Sequence, residues 1–399
     1  YVYGPVPVYL DISTLRFGLR ATYRRKLINE ATLSLGLDLQ GANNDVQRVG
    51  SLTLPPREGD IVVFGQSPGP QINADKYNYG VVSPALFGVI EFNVGPLSIV
   101  PGLRLAPTLL TGSQLLPPVG NVPPIGWSRM VVAVDPRIAL ALRVTPKLTL
   151  NAAAGLYHQA PSPADMSAVF GNPTLGLESD TQFTAGFSYR LTGTLTFEAQ
   201  AFYKWMWDLV SRNPSATPPV AQALVQDEVG QAVGGQFLLR QQITKGFFGW
   251  LTYTISESQR RDHPNDAWRL FDYDQTNVFS ALGSYEFGAG WEVGLRFRYA
   301  TGYPRTPVTG AFYDSKGNLY DPLFGAQNTI RIPSFYSLDA LASKTWALSS
   351  SSRLMLFLDV QNITYANNPE EIVYNYNYTQ QGYISGLPIL AIFGARFDW

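Results

Sequence analysis

Residues 194–209 read Thr194-Leu195-Thr196-Phe197-Glu198-Ala199-Gln200-Ala201-Phe202-Tyr203-Lys204-Trp205-Met206-Trp207-Asp208-Leu209. Every odd position is apolar, and the even ones include Thr194, Thr196, Glu198, Gln200, Lys204 and Asp208. A period of two is the signature of a strand with one apolar and one polar face. The run is far longer than the roughly 5–6 residues of an ordinary globular strand.

The same alternation recurs along the chain. Ala31 to Leu39, Phe183 to Leu191, Trp291 to Tyr299, Leu354 to Val360 and Ile389 to Trp399 each place apolar residues on one parity and polar or small residues on the other. Strands are read at 12–26, 29–42, 79–94, 97–111, 129–145, 147–158, 179–192, 194–211, 234–244, 246–259, 273–287, 290–303, 334–346, 351–364 and 388–399, about fifteen in all. Short turns, such as Gly95-Pro96 and Thr192-Gly193, alternate with long polar or Pro-rich segments such as 43–78, 159–178, 212–233, 303–332 and 365–387. Long strands joined alternately by short and long connections predict an all-β fold, a transmembrane antiparallel β-barrel. A soluble β-sandwich is the competing fold, but its strands rarely exceed ten residues and its turns are not long at one end only.

The composition agrees. Of 399 residues, 45% are hydrophobic and only 15% charged, against about 25% charged in a typical soluble domain. No apolar run reaches the ~18 residues of a spanning helix. Lipid leaves only helices and closed barrels as solutions, so a strand-rich chain of low charge points to the barrel. Tyr203, Trp205, Trp207, Tyr253, Trp291, Tyr299 and Tyr303 lie toward strand ends and are expected to form interfacial girdles. A net charge of −1 gives no reason to expect a nucleic-acid partner.

The absence of cysteine excludes disulfides and thiolate chemistry. Only His158 and His263 are available as imidazole ligands, with nothing beside them to complete a metal site. No catalytic or nucleotide-binding motif is present, so no enzyme and no cofactor is expected. Two features carry recognition. The polar parity places Arg20, Arg137, Arg143, Arg190, Arg240, Arg296, Arg298, Arg353 and Arg396 on the inner face with Glu198, Asp208, Glu292, Asp339 and Asp359. That set reads as a hydrated lumen and polar seat for a filling domain, or as a path for anionic ligands centred on Arg296 and Arg298. The last long segment carries Tyr374, Tyr376, Tyr378 and Tyr383, readable as a stacking site for a sugar or aromatic siderophore, or as a hairpin projecting above the membrane.

An ordered series of short motifs runs over 171–399. Gly171-Asn172-Pro173-Thr174-Leu175 is followed by Glu178, and Phe202-Tyr203-Lys204 by Asp208-Leu209-Val210. Then come Phe271-Asp272-Tyr273-Asp274-Gln275-Thr276-Asn277, Arg298-Tyr299-Ala300-Thr301-Gly302-Tyr303-Pro304, Ser337-Leu338-Asp339 and Asp359-Val360-Gln361-Asn362-Ile363-Thr364, before a last strand that closes on Trp399. This order resembles TonB-dependent outer-membrane receptors. The resemblance implies an outer-membrane protein of a Gram-negative bacterium that imports a scarce nutrient of siderophore, vitamin, saccharide or peptide class, with the TonB complex and outer-membrane lipid as partners. A passive porin and the barrel of a non-transporting surface machine are the alternatives. Residues 1–170 match only in strand pattern. No plug domain is recognised, no secretory leader opens the chain at Tyr1, and the strand parity is odd. Residues 1–399 are therefore expected to be the C-terminal portion of a 22-stranded barrel, whose plug or N-terminal strands lie elsewhere.

Overall fold

The computed structural model describes residues 9–51, 57–64, 72–116, 125–215 and 222–399. Ten strands follow one another: β1 (Tyr9–Ile28), β2 (Ala31–Ser51), β3 (Ile72–Val94), β4 (Leu97–Leu116), β5 (Ile125–Arg143), β6 (Leu148–Gln159), β7 (Glu178–Arg190), β8 (Leu195–Arg212), β9 (Leu224–Thr244) and β10 (Phe247–Arg261). A two-residue β11 (Arg269–Leu270) precedes β12 (Asn277–Gly288) and β13 (Trp291–Ala300). The next connection carries β14 (Pro304–Arg305), β15 (Val308–Asp314), β16 (Leu319–Phe324) and β17 (Ile330–Arg331). Then come β18 (Phe335–Ala347), β19 (Arg353–Gln361), a loop hairpin of β20 (Pro369–Tyr374) and β21 (Gln381–Ser385), and β22 (Leu390–Asp398).

Each long strand pairs with its sequence neighbour, antiparallel throughout, in the order β1 to β10, then β12, β13, β18, β19 and β22. These fifteen strands match the fifteen expected, in the same order. The outer boundaries differ. β2 runs to Ser51, β3 begins at Ile72 and β9 at Leu224, so parts of 43–78 and 212–233 that read as loop are strand. Beyond the bilayer both faces of a strand meet water, and the apolar alternation that betrays a strand disappears there.

Register fixes two faces. Arg296 lies opposite Leu282 and Asp339, and Glu198 opposite Ser188 and Leu238, on the inner face. Their chain neighbours Leu295, Phe297, Phe197 and Ala199 face the other way. That outer face exposes Met130, Val132, Leu295, Leu358 and Phe393, an apolar surface that only lipid covers without penalty. Phe237, Tyr253, Phe279, Tyr299 and Tyr336 are cross-strand partners in one continuous row over β9, β10, β12, β13 and β18. This is an aromatic girdle. The opposite girdle includes Trp291 and Trp346, with the Lys344 ammonium over both rings at 5.2 and 5.7 Å. Trp291 and Tyr299 are separated by about 27 Å along β13 at ~3.4 Å per residue, which suits a tilted strand and an apolar band about 25 Å tall. Above the outer girdle the same face turns polar, with Gln231 Nε2 donating to Gln259 Oε1 at 2.7 Å.

The short turns lie at the other end. Lys245 and Gly246 both have positive φ (51° and 80°), the conformation that a two-residue hairpin turn requires. At Gly290 a Cβ would stand 2.1 Å from Thr345 O, so no larger residue fits. Among the described residues, β1 and β22 each have a paired neighbour on one side only.

The face assignment predicts unequal tolerance of charge. Leu295→Arg, on the lipid side, should cost about 2–4 kcal/mol and sharply lower the yield of heat-resistant folded barrel in membranes. Leu341→Arg, on the inner side opposite Gly294, should leave that yield near wild type. Equal yields would contradict the assignment.

Candidate functional site

Several motif residues over 171–399 bind neighbouring loops and strand ends. Asn172 Nδ2 donates to Leu224 O at 2.8 Å, tying the β6–β7 loop to the start of β9, and Asn172 Oδ1 accepts from Thr174 N and Oγ1. A Cβ on Gly171 would lie 2.1 Å from Asp165 O, so the loop closes only around glycine. Asp274 accepts from Ser258 N at 2.7 Å and pairs with Arg331. Arg331 Nη1 also donates to Gly302 O at 2.9 Å. At Gly302 a Cβ would sit 1.8 Å from Ile332 O. Asp339 takes Arg296 through Nε and Nη2 at 2.9 and 2.7 Å, Ser337 Oγ at 2.5 Å and Asn362 N at 2.9 Å. Asn362 Nδ2 then holds Ala366 O. These carboxylates and amides satisfy backbone groups where strands leave the ladder, which is the role their chemistry dictates.

The β6–β7 loop turns inward. Its short 3-10 helix (Pro163–Met166) carries Met166, which packs with Leu175 against Val46, Tyr77, Tyr79 and Leu110 of β2–β4. The Tyr77 hydroxyl donates to Pro163 O at 2.7 Å. The inner wall therefore holds a small apolar core of its own. Beside it lies a cavity of about 740 Å³. Ala42, Ser83, Ala106, Thr108 and Ala133 make its floor, and their small side chains leave the volume open. Arg104 Nη1 donates to Asp38 Oδ2 at 2.7 Å, and His158 Nδ1 is 2.6 Å from Asp135 Oδ1. Arg16 and Arg20 line the same chamber, and among the described residues neither forms a salt bridge. Arg20 lies over the Phe87 ring at 4.9 Å. The chamber thus carries excess positive charge and many hydrogen-bond donors, suited to an anionic group.

Beyond the outer girdle, Arg260, Glu228, Arg269 and their neighbours form a buried polar cluster. Arg269 forks onto Asp262 and Glu58, and approaches Asp272 at 3.5 Å. These carboxylates raise its pKa further, against the effect of burial. Glu228, 3.3 Å from Arg260 Nε, is pushed up to about 8 by burial and by the nearby charges of Glu58 and Asp262, against the pull of Arg269 and Arg260. It therefore holds its proton at neutral pH.

In register, Arg190, Glu198, Glu292, Arg296, Arg298 and Asp359 share one face of the sheet with their cross-strand partners Thr196, Ser188, Glu286, Leu282, Ser280 and Leu341. Arg296 and Arg298 are not a free cationic pair, because Asp339 lies 2.7 and 3.8 Å from them. Asp208 departs from expectation: it sits at a bulge with φ 55°, is exposed, and does not continue the inner row. His263 is 3.8 Å from Asp227, and no group of three or more potential metal ligands occurs among the described residues. Tyr374 and Tyr383 lie on the β20–β21 hairpin, with Tyr376 and Tyr378 in its turn. Tyr376 donates to Asn318 O at 2.6 Å and meets the Tyr320 ring edge-on at 5.4 Å, coupling this hairpin to β15–β16. The chamber residues Arg16, Asp38, Arg104 and Asp135, and the cluster around Glu228, were not singled out from sequence. Their partners lie tens of residues away or more, and no local pattern announces them.

A family model described as TonB dependent receptor-like, beta-barrel, matches residues 5–363. Among solved structures, the closed form of the ferric-catecholate import receptor Fiu from E. coli K12 is similar, at 13% identity and a TM-score of 0.63, over 98% of this chain and 55% of that one. The unliganded ferric citrate transporter FecA is similar at 15% identity and a TM-score of 0.65, over 97% and 55%. So is the siderophore receptor PiuA from Acinetobacter baumannii, at 12% and 0.65, over 98% and 56%. The chain spans about half the length of these structures. No curated protein matches it.

Two outcomes follow from the rim. Asn172→Ala should cost about 1–3 kcal/mol by stranding buried partners, and should expose the β6–β7 loop to protease while the strands stay resistant. Unchanged loop protection would contradict its role. Glu228 binds its proton more tightly folded than unfolded, so its contribution to stability is full below the usual carboxylate range and is lost as pH rises through about 8. The thermal midpoint should fall as pH rises from about 4.5 to about 8 in the wild type and lose that fall in Glu228→Gln. Parallel pH profiles would contradict it.

Proposed function

The chain belongs to the TonB-dependent receptor β-barrel family, whose members sit in the outer membrane of Gram-negative bacteria, and from that premise we propose that it walls a gated receptor for active nutrient uptake. The observation that carries this reading is the occupied inner face. The β6–β7 loop is folded against β2–β4 as a core, and beside it lies a lined chamber of about 740 Å³.

The substrate class follows from chemistry. Arg16 and Arg20, which join Arg104 in the chamber against Asp38 and Asp135, favour an anionic cargo, and the projecting tyrosines Tyr374, Tyr376, Tyr378 and Tyr383 offer stacking and hydroxyl groups to an aromatic or hydroxylated ligand. Fiu, FecA and PiuA are named for ferric catecholate, ferric citrate and siderophores. An anionic ferric chelate is the cargo that fits both sites. The free edges of β1 and β22 would be paired by further strands of the whole receptor, since unpaired edges are untenable in lipid. A plug and the TonB complex complete the proposed machine, which transports rather than catalyses.

The experiment is uptake of radiolabelled ferric citrate and ferric catecholate by cells expressing the full-length protein. At least one should be taken up only with a functional TonB complex, and replacing the four tyrosines by serine should weaken its binding roughly tenfold. TonB-independent uptake with steady ion conductance in planar bilayers would establish a passive channel instead.

A further inference from the structure

Four consecutive residues between β2 and β3, Arg57-Glu58-Gly59-Asp60, are each bound to elements distant in sequence. Arg57 pairs with Asp165 of the β6–β7 loop and donates through Nη2 to Val210 O of β8 at 3.3 Å. Glu58 receives a fork from Arg269, at 2.5 and 3.0 Å. Gly59 N donates to Asp272 Oδ2 at 2.9 Å, and its carbonyl accepts from Gln327 Nε2 at 2.6 Å. Asp60 receives Nε and Nη2 of Arg212 at 3.0 and 2.6 Å. Arg57 and Asp60 close a turn on one another, with Arg57 N donating to Asp60 Oδ2 at 2.8 Å and Asp60 N to Arg57 O at 3.1 Å. Gly59 has φ 86°, and a Cβ there would stand 2.5 Å from Arg269 Nη2.

We infer that residues 57–60 are an ionic strap across the outer mouth of the lumen, and that ligand entry requires its release. Three observations distinguish a strap from an ordinary packed loop. The attachments reach β8 and the loops that follow β6, β10 and β13, none of which pairs with β2 or β3 in the sheet. Every attachment is polar, while of the apolar residues that follow, Ile61, Val62 and Phe64 are exposed and Val63 is only partly buried. No apolar core therefore holds the segment down, and its pairs with partly exposed members, Arg57 with Asp165 and Arg212 with Asp60, are weakened by screening or by a competing ion more than the buried Arg269 pair is. The buried cation of the wall also keeps partners without it: when Glu58 leaves, Arg269 retains Asp262 and Asp272. Through Asp165 the strap also holds down the loop whose Pro161 and Pro163 line the chamber.

These 399 residues carry no cysteine, so a thiol introduced here is unique among them. In the full-length receptor, Ser83→Cys places one thiol on the chamber floor, and its labelling by a membrane-impermeant maleimide added to intact cells is timed. Thr379→Cys on the outer hairpin serves as an exposed control. Adding E58Q with D60N should speed labelling at position 83 at least tenfold and leave position 379 unchanged. The swap D60R with R212D, which restores the pair reversed, should label more slowly than D60R alone. With the strap residues native, raising salt from 0.05 to ~1 M should itself speed labelling at 83, by screening, and this arm needs no folding of a strap variant. Rates at 83 within twofold of one another under all these conditions would overturn the strap. Labelling needs no transport, so a failure here is distinct from a failure of the uptake reading.

Discussion

A bilayer core holds no water, so every backbone N–H and C=O inside it must find a partner on another strand. The rest of the architecture depends on this. It demands long strands in unbroken antiparallel register, and fifteen of them pair in sequence order without a crossover. It also dictates the two faces. With the backbone satisfied by the ladder, only side chains distinguish inside from outside, and the period of two sorts them into a lipid surface and a hydrated one. The row Phe237, Tyr253, Phe279, Tyr299 and Tyr336 marks where that sorting ends.

Where strands emerge and the ladder stops, the same obligation passes to side chains. Asn172, Asp274, Asp339 and Asn362 each accept from or donate to backbone groups of a neighbouring loop. Gly171 and Gly302 allow those loops to approach within a distance that excludes a Cβ. The motifs that identify the family are thus clamps that finish the barrel rim. The tyrosines of the outer hairpin, the arginines of the chamber and the strap at 57–60 lie outside those clamps, where ligand identity is free to vary.

The sequence made the spanning part of the fold legible because lipid imposes a strict alternation there. It lost the strand ends because that pressure stops at the girdle, so Leu224–Gly230 and Ile72–Asn78 read as loop although they are paired. Asp208 misled because a bulge shifts parity without a local signal: φ at Asp208 is positive, and nothing in Trp207-Asp208-Leu209 requires it. Parity sorts the polar residues onto one face, but not their pairing: Asp339 lies 2.7 Å from Arg296 and 3.8 Å from Arg298, across a strand pair that no local spacing announces. The strap was invisible, since Arg57 and Asp165 are 108 residues apart and Gly59 and Gln327 268 apart.

The alternation of lipid and water along one strand is the claim on which every later assignment rests. The direct measurement is a nitroxide scan of residues 195–207, one cysteine at a time, in the full-length protein in bilayers, with accessibility read to oxygen and to a water-soluble nickel chelate. Leu195, Phe197, Ala199, Ala201 and Tyr203 should favour oxygen and Thr196, Glu198, Gln200 and Phe202 the chelate, in strict alternation. A scan without a period of two, or with both parities facing oxygen, would contradict the barrel and the lumen together.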